Sequence, residues 1–339
     1  MTNLLTFQKN KRALVVLIVF FPLFAFAGHG ETDDHDAHKV DPTFKGWISG
    51  LKKEALVKGI SQKTIDEALS EPKLIKRVIE LDRSQPEFKL TFEQYFKKVV
   101  DKRRVDRGRK MLVKNRELLA QIEKKFGVQP RFVVALWGME TDYGRITGGF
   151  SVIDALVTLA YDGRRSAYFR KELINALMII DQGHISAKKM IGSWAGAMGQ
   201  TQFMPSTFLS YAVDFTGDGK KNVWKNRQDA LASGANYLSK SGWKGTQTWG
   251  REVKLTKPVK QTSFGLEMSK PISEWSALGV VGSDGKPLAD SELDASLINL
   301  DGEKGRFFLI YNNYRVIMEW NKSTSFATSV GLLADAIGN

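Results

Sequence analysis

The sequence predicts a mainly α-helical protein with a small β-containing region, which is an α+β fold. Two observations support this prediction. From residue 44 to about residue 240, apolar residues recur at the spacing of amphipathic or buried helices. After about Gly250 the pattern changes, and Val253 and Leu255 alternate with polar residues as they do in strands.

The helical part divides into separate runs. Ser61 is a candidate N-cap for the run at 62–69, because its hydroxyl can accept a hydrogen bond from a free backbone N–H. The further predicted helices are 73–81, 90–100, 112–126, 131–139, 152–161, 168–180 and 230–239. The basic run 101–110 has no interleaved aromatic residues, so we interpret it as the solvated face of a helix.

The β-containing region is expected near residues 250–322. Residues 293–300 and 306–311 flank the turn Asp301-Gly302 and predict a hairpin. Helical patterns follow at 314–320 and at 327–337, where the chain closes.

The first 27 residues predict a secretory signal peptide. Three basic residues precede an apolar stretch at 13–26, and an Ala-x-Ala site ends at Ala27. The stretch is shorter than the ~20 residues of a spanning helix. We therefore expect a protein exported to the periplasm and not inserted in a membrane. Residues 28–43 are rich in His and Asp, and we interpret them as a flexible tail rather than a metal site.

The amino-acid composition limits the kinds of molecule that the protein is expected to bind. The chain has no cysteine, so it has neither disulfides nor the acylation site of a bacterial lipoprotein. Its formal net charge is +13, or +10 without the predicted signal peptide. A basic exported protein suits a polyanionic partner such as the cell wall, nucleic acid or acidic lipid. The sequence contains no recognised nucleic-acid-binding motif, so we expect no nucleic-acid partner.

The strongest candidate for catalysis is Glu140, which follows the apolar run 131–137. Apolar neighbours disfavour the charged form of a carboxyl group, which raises its pKa and lets it act as a general acid. The alternative is a glutamate at a helix end that is solvated or paired with Arg145. Asp142 is a rival carboxylate, but in a helix it faces a different direction.

Two further segments carry candidate ligand groups. Residues 192–206 combine small side chains with Ser193, Gln200 and Gln202, which suits hydrogen bonding to a sugar or, alternatively, a tightly packed turn. Residues 214–219 resemble the first half of an EF-hand calcium loop. Its predicted ligands are Asp214, Thr216, Asp218, Lys220 and Asp229. Asp229 would replace the closing glutamate, because position twelve is a lysine; the alternative is a turn without an ion.

Together, these segments resemble the B-type family of lytic murein transglycosylases (glycoside hydrolase family 103). The matching blocks are Trp-Gly-Met-Glu-Thr-x-x-Gly at 137–144, Ala-Gly-Ala-Met-Gly-x-x-Gln-Phe-Met-Pro-Ser at 195–206 and Tyr-Ala-Val-Asp-Phe-x-Gly-Asp-Gly at 211–219. The resemblance implies a lysozyme-like helical core, with a helical region at 44–130, a catalytic core at 131–249 and a completing region at 250–339. It also implies a structural Ca²⁺ and no cofactor for catalysis.

The resemblance implies non-hydrolytic cleavage of the MurNAc-β-1,4-GlcNAc bond of peptidoglycan, which leaves 1,6-anhydro-MurNAc ends. Glu140 would be the sole acid/base. The implied substrate contacts are Ser193, Gln202, Tyr237, Asn321, Arg164 and Arg165. The expected partners are peptidoglycan glycan strands, with other cell-wall enzymes as further candidates. The chain departs from the family at Phe326, where a tyrosine is usual, and by one extra residue before Asp229. The alternatives are a hydrolytic muramidase and a non-catalytic, calcium-dependent peptidoglycan-binding protein.

Overall fold

The structure is a computed structural model that describes residues 43–84, 90–260, 263–289, 291–302 and 305–338. The predicted signal peptide and all but the last residue of the predicted tail lie outside these ranges. Within them, no helix has both the length and the apolar character that a membrane span needs.

The described residues form a helical protein with a small antiparallel sheet, which confirms the predicted fold class. The helices of the first half are α1 (Phe44–Val57), α2 (Gln62–Ala68), α3 (Lys76–Ser84), α4 (Phe92–Val99), α5 (Lys102–Lys114), α6 (Arg116–Phe126) and α7 (Pro130–Thr141). Those of the second half are α8 (Val152–Asp162), α9 (Ser166–Asp181), α10 (Pro205–Tyr211), α11 (Arg227–Lys240), α12 (Ile272–Ala277), α13 (Asn312–Trp320) and α14 (Thr324–Gly338). The strands are β1 (Phe150–Ser151), β2 (Ile191–Gly192), β3 (Gly250–Leu255), β4 (Ser269–Pro271), β5 (Val280–Gly282), β6 (Asp294–Leu300) and β7 (Arg306–Ile310).

Local hydrogen bonds set the helix boundaries. Ser61 caps α2 as predicted, since its hydroxyl accepts from the backbone N–H of Thr64 at 3.3 Å. The prediction of one helix over 112–126 was wrong, because the chain breaks at Asn115 between α5 and α6. The Asn115 side chain donates to the Met111 carbonyl at 2.7 Å, and such local bonds compete with helix continuation.

The predicted start of α3 was also wrong. Residues 73–75 lie before the helix, and the backbone N–H groups of Lys73 and Ile75 donate hydrogen bonds to side chains of α8. Asp154 accepts from Lys73 at 3.0 Å, and Thr158 accepts from Ile75 at 2.9 Å. This tertiary contact fastens the start of α3 to α8.

The main sheet has the strand order β4-β6-β7-β3-β5, and all its neighbouring strands are antiparallel. The predicted hairpin is β6 and β7, in which Leu297 lies opposite Leu309. One face of this sheet packs around the fully buried Trp275 and forms a small core of its own. A separate two-stranded ladder pairs Phe150 with Gly192 and draws the segment after α7 against the loop that starts at residue 192.

Two large apolar clusters form the main core. One contains α8, α9 and the loop 194–203, and the other contains α7, α14 and much of α13. Helix α11 joins them, since Ala230 belongs to the first cluster and Leu231 to the second. The C-terminal turn of α7 lies beside this junction, and it carries Glu140.

Candidate active site

Helix α7 ends in an unusual turn directly after Glu140. Asp142 and Tyr143 both have left-handed backbone, with φ of 49° and 63°. This turn brings the Tyr143 ring back against the helix, where a Cβ on Gly138 would lie only 2.6 Å from it. The Tyr143 hydroxyl then donates to the Arg104 carbonyl of α5 at 2.7 Å. Gly138 is therefore required by the packing of the turn that follows the glutamate.

Glu140 lies in a narrow, mostly apolar cavity. Among the described residues that line it, Glu140 is the only ionisable one. The others are Val133, Leu136, Trp137, Gln200, Thr201, Ala230, Leu231, Gly234 and Trp320. Loss of hydration raises the pKa of Glu140 to about 8, although a hydrogen bond from Trp320 acts in the opposite direction. The group therefore holds a proton at neutral pH, in the direction that the apolar run predicted.

The hydrogen bond to Glu140 comes from a residue that the sequence did not single out. The indole Nε1 of Trp320, at the end of α13, donates to Oε1 of Glu140 at 2.7 Å. In the sequence, Trp320 is only the last apolar residue of a helical pattern. Since the two residues lie 180 positions apart, no local signal could have paired them.

Asp142 has a different environment from Glu140. Its carboxylate accepts from Arg107 of α5 at 2.6 Å and from Arg145 at 2.7 Å. The alternative in which Arg145 pairs with Glu140 was therefore wrong: Arg145 pairs with Asp142. With two guanidinium partners, Asp142 serves to hold the turn to α5.

The loop of small residues is fastened to α7 through Gln200. Its side-chain oxygen accepts from the Trp137 indole at 3.1 Å, and its backbone carbonyl accepts from the Thr141 hydroxyl at 3.0 Å. Glycine is required at 144, where φ is +78° and a Cβ would lie 2.5 Å from the Gln200 side-chain oxygen. The loop therefore forms one wall of the Glu140 cavity.

Ser193 and Gln202 are both buried in this loop. The Ser193 hydroxyl accepts from the backbone N–H groups of Ala195 and Ala197, at 3.3 and 3.0 Å. The Gln202 amide donates to the carbonyls of Thr147 and Gly199, at 3.2 and 2.8 Å. Its Oε1 is buried and has no hydrogen-bond partner among the described residues. The segment is a tightly packed turn, and hydrogen bonding of its polar side chains to a sugar stays a prediction.

Tyr237 contacts the Trp320 ring, and Asn321 follows Trp320 in the chain. The Tyr237 hydroxyl donates to the Glu319 carbonyl at 2.6 Å, and its ring lies edge-on to the Trp320 ring at 5.0 Å. The buried Asn321 side chain accepts from the Ser323 backbone N–H at 3.0 Å, which helps the chain turn into α14. Phe326 is also buried, so the missing hydroxyl at this position is replaced by core packing.

Arg164 and Arg165 follow α8, and both contact the buried Asp82 of α3. Arg164 Nε lies 3.3 Å from Asp82 Oδ2, and Arg165 donates to Oδ1. Sequence reasoning missed Asp82, because a single aspartate in an amphipathic helix carries no signal of a buried partner. The Arg164 side chain is about half exposed, at 47%, which leaves donors on its outer edge available.

The acidic loop, residues 214–229, brings three carboxylates together. One oxygen each from Asp214, Asp218 and Asp229 lies within 4.8 Å of the others. The Thr216 hydroxyl lies 3.3 Å from Oδ1 of Asp214. At Lys220 the observed contact is its backbone N–H, which donates to Asp218 at 2.9 Å. These hard oxygen donors fit a calcium ion better than a transition metal.

Asp229 forms the base of the acidic loop and is fully buried. Its Oδ1 accepts from the backbone N–H of Phe215 at 2.9 Å, and its Oδ2 accepts from that of Asn222 at 2.9 Å. The extra residue before Asp229 therefore does not remove it from the loop, because the carboxylate closes it from the first turn of α11.

A helical core with a cavity lined by a single acid among the described residues, together with an acidic loop, is typical of a lysozyme-like, glycan-cleaving class of enzyme. Residues 43–335 match the family model of the transglycosylase SLT domain. The membrane-bound lytic murein transglycosylase B of Escherichia coli is 32% identical over 291 residues, covering 82% of this chain and 79% of that protein. The chain belongs to this family of lytic transglycosylases, and the predicted family, enzyme class and lysozyme-like fold are confirmed.

Two solved structures extend the comparison. SltB3 from Pseudomonas aeruginosa, in complex with NAG-NAM-pentapeptide, has a TM-score of 0.85 and 42% identity, covering 88% of this chain and 80% of that chain. The same relative is also known in complex with NAG-anhNAM-pentapeptide. Slt35 from Escherichia coli, in complex with calcium, has a TM-score of 0.74 and 30% identity, covering 86% and 92%.

Proposed function

We propose that the protein cleaves peptidoglycan glycan strands as a lytic transglycosylase, with Glu140 acting first as acid and then as base. The observation that carries this proposal is the environment of Glu140. It is the only acid among the described residues that line its cavity, and its pKa of about 8 keeps it protonated near neutrality. A general acid needs a proton to give at the working pH.

In the proposed reaction, protonated Glu140 donates its proton to the glycosidic oxygen as the bond from that oxygen to C1 of MurNAc breaks. The muramyl N-acetyl group stabilises the positive charge at C1. Ionised Glu140 then removes the proton from the C6 hydroxyl, whose oxygen attacks C1 and closes the 1,6-anhydro ring. The proton returns to Glu140, and no water is consumed.

The environment of Asp142 favours this reaction over hydrolysis. Most glycosidases use a second carboxylate as nucleophile or as a base for water. Asp142, the nearest acid in the sequence, is held by Arg107 and Arg145. A mechanism that needs one carboxyl group therefore fits the described site better than one that needs two.

We also propose which residues contact the substrate. Ser193, Gln202, Tyr237 and Asn321 would meet the sugars. The ring contact of Tyr237 with Trp320, the position of Asn321 next to Trp320 in the chain, and the buried, unpaired acceptor of Gln202 support this proposal. Arg164 and Arg165 would meet a carboxylate of the muramyl lactyl or peptide group, because a guanidinium binds carboxylates through paired donors. The peptide-bearing ligands of SltB3 support a substrate of this class.

We also propose that Asp214, Thr216, Asp218 and Asp229, through side-chain oxygens, and Lys220, through its backbone carbonyl, hold a structural calcium ion. The converging oxygens of the three aspartates and the calcium complex of Slt35 support this assignment. A periplasmic location agrees with a peptidoglycan substrate and with the signal peptide predicted at residues 1–27.

Mass spectrometry of the muropeptides released from purified peptidoglycan tests the proposed reaction. We expect products that are one water lighter than those of hydrolysis, and none from Glu140→Gln. The matched control is Glu123→Gln, the same substitution at an exposed position on α6, which should release wild-type products.

The alternatives predict other results. Products with reducing ends would identify a hydrolytic muramidase. A wild-type protein that binds sacculi and releases nothing would identify a peptidoglycan-binding protein without catalytic activity. Substantial release by Glu140→Gln would remove Glu140 from the mechanism.

A further inference from the structure

The contact between Trp320 and Glu140 has a fixed direction. An indole N–H donates and has no acceptor atom, so the bond of 2.7 Å always runs from Nε1 of Trp320 to Oε1 of Glu140. Among the described residues it is the one hydrogen bond found on the Glu140 carboxyl group. The donor therefore distinguishes the two carboxyl oxygens from each other.

The indole is held in place on several sides. The Tyr237 ring lies edge-on to it at 5.0 Å, and the Phe203 ring lies 5.3 Å away. The far end of the indole faces Gly234 of α11, where a Cβ would make ordinary contact at 3.7 Å. The hydroxyl of Tyr237 also binds the carbonyl of Glu319, the residue before the tryptophan. Rotation of the indole away from Glu140 would disrupt this aromatic packing.

In a protonated carboxyl group, the carbonyl oxygen is a better acceptor than the hydroxyl oxygen. The oxygen that accepts from Trp320 is therefore the carbonyl oxygen, and the proton resides on the other one. We propose that Trp320 is a positioning residue that assigns the acidic proton of Glu140 to Oε2, and so makes Oε2 the oxygen that exchanges protons with the substrate. This inference rests on the proposed role of Glu140 as acid and base.

The same bond acts in both halves of the reaction. When Glu140 has lost its proton, Trp320 donates to a carboxylate, and hydrogen bonds to charged groups are stronger than those to neutral ones. The tryptophan therefore opposes the effect of burial on the pKa of Glu140. It stabilises the ionised form that must remove the proton from the C6 hydroxyl, while Oε2 remains available to receive it.

Other charged groups on the elements around Glu140 lie outside the described lining of its cavity. On α7 and its C-terminal turn, Arg131 pairs with Asp335, and Asp142 pairs with Arg107 and Arg145. On α11, Asp229 closes the acidic loop, and Arg227 donates to Asn115. The Arg227 guanidinium also lies over the Trp137 ring, 5.4 Å from its centroid, so that ring is the contact between Arg227 and the cavity lining. On α13, Arg315 donates to Ser296, and Glu319 pairs with Lys322. The hydroxyl of Tyr237, the titratable group beside Trp320, is bound to a backbone carbonyl.

The test is Trp320→Phe, which keeps an aromatic ring and removes the donor. The rate of muropeptide release from soluble glycan strands is measured from pH 5 to pH 10. We expect kcat at pH 6 to fall about tenfold and the midpoint of the alkaline loss of activity to move upward by about one pH unit, with KM nearly unchanged. The control is Trp275→Phe, which removes an indole donor from the Ala295 carbonyl in the sheet core and should leave the midpoint in place.

An unchanged midpoint in Trp320→Phe, or an equal shift in the control, would overturn the inference. If Trp320→Phe does not fold, NMR of the full-length protein replaces it. The Trp320 indole N–H resonance should titrate with a midpoint near pH 8, and the titration should vanish in Glu140→Gln. An indole resonance that does not titrate would also overturn the inference. Full activity of Glu140→Gln would instead reject the proposed function, so the two failures can be distinguished.

Discussion

Glu140 and Asp229 are carboxyl groups that both lose hydration in the folded protein, but they face different numbers of hydrogen-bond donors. Asp229 is fully buried and accepts from backbone N–H groups of Phe215, Thr216 and Asn222. Glu140 remains partly open to solvent and, among the described residues, accepts from Trp320 alone. The depth of burial alone therefore does not decide how a carboxyl group behaves. Backbone donors replace the lost hydration at Asp229, whereas Glu140 has a single donor.

Asp214, at the start of the acidic loop, illustrates the same contrast. Dehydration acts to raise its pKa, but hydrogen bonds from the backbone N–H groups of Gly219, Gly217 and Asp218 together outweigh this effect and lower it. The backbone of the loop therefore favours the ionised form of Asp214, as a cation site requires. The cavity is built to keep its carboxyl group protonated, as a general acid requires. Four predictions test this comparison.

The largest expected effect is on the rate of Glu140→Gln. Because the proposed mechanism uses Glu140 as both acid and base, we expect kcat on soluble glycan strands at pH 6 to fall by about 10³-fold or more. The amide oxygen can still accept from Trp320, so the fold should persist, and circular dichroism checks this. A rate within about tenfold of the wild type would contradict the assignment.

Asp229→Asn should affect stability instead. The amide offers one acceptor where the carboxylate offers two, and its NH₂ group would face a buried backbone donor. We expect a loss of about 2–4 kcal/mol in the free energy of unfolding, measured by urea denaturation in EDTA. The control Asp218→Asn, at an exposed position, should change it by less than about 0.5 kcal/mol. Equal losses in the two variants would mean that the backbone bonds of Asp229 contribute little.

Calcium should stabilise the wild-type protein. At a concentration 100 times its Kd, a ligand that binds only the folded state adds about 2.7 kcal/mol, so the Tm in calcium should exceed that in EDTA. Asp218→Asn should reduce this difference, because it removes a ligand charge without disturbing Asp229. An identical Tm in calcium and in EDTA would indicate a turn that binds no ion.

The smallest effect is the pH dependence of stability that Glu140 imposes. Its folded pKa of about 8 lies above the ordinary value of 4.5, so below pH 4.5 both the folded and the unfolded chain carry the proton. Between pH 4.5 and 8 the unfolded chain ionises first, and folding stability falls as the pH rises. Glu140→Gln lacks this loss, so its unfolding free energy relative to the wild type should rise by about 1.4 kcal/mol per pH unit inside this window, or about 2 kcal/mol between pH 5.5 and pH 7. A constant difference would mean that Glu140 has an ordinary pKa.

Much of the fold could be predicted from the sequence because it depends on local periodicity. The runs at 152–161 and 230–239 correspond to α8 and α11, and the hairpin around Asp301-Gly302 corresponds to β6 and β7. The errors occurred where a side chain formed a specific bond. Asn115 broke a helix by binding a carbonyl four residues earlier, and Asp154 and Thr158 delayed the start of α3.

The sequence by itself determined which acid to consider, because an apolar run before Glu140 is a local feature that implies dehydration. It also indicated the acidic loop, since its acidic residues recur at fixed short spacings. The tertiary structure alone decided which partner each ionisable group contacts. Trp320 contacts Glu140, and two arginines contact Asp142. Asp82 contacts both Arg164 and Arg165. These partners lie 35 to 180 residues apart, except for Arg145, and such pairs are set by helix packing rather than by any pattern along the chain.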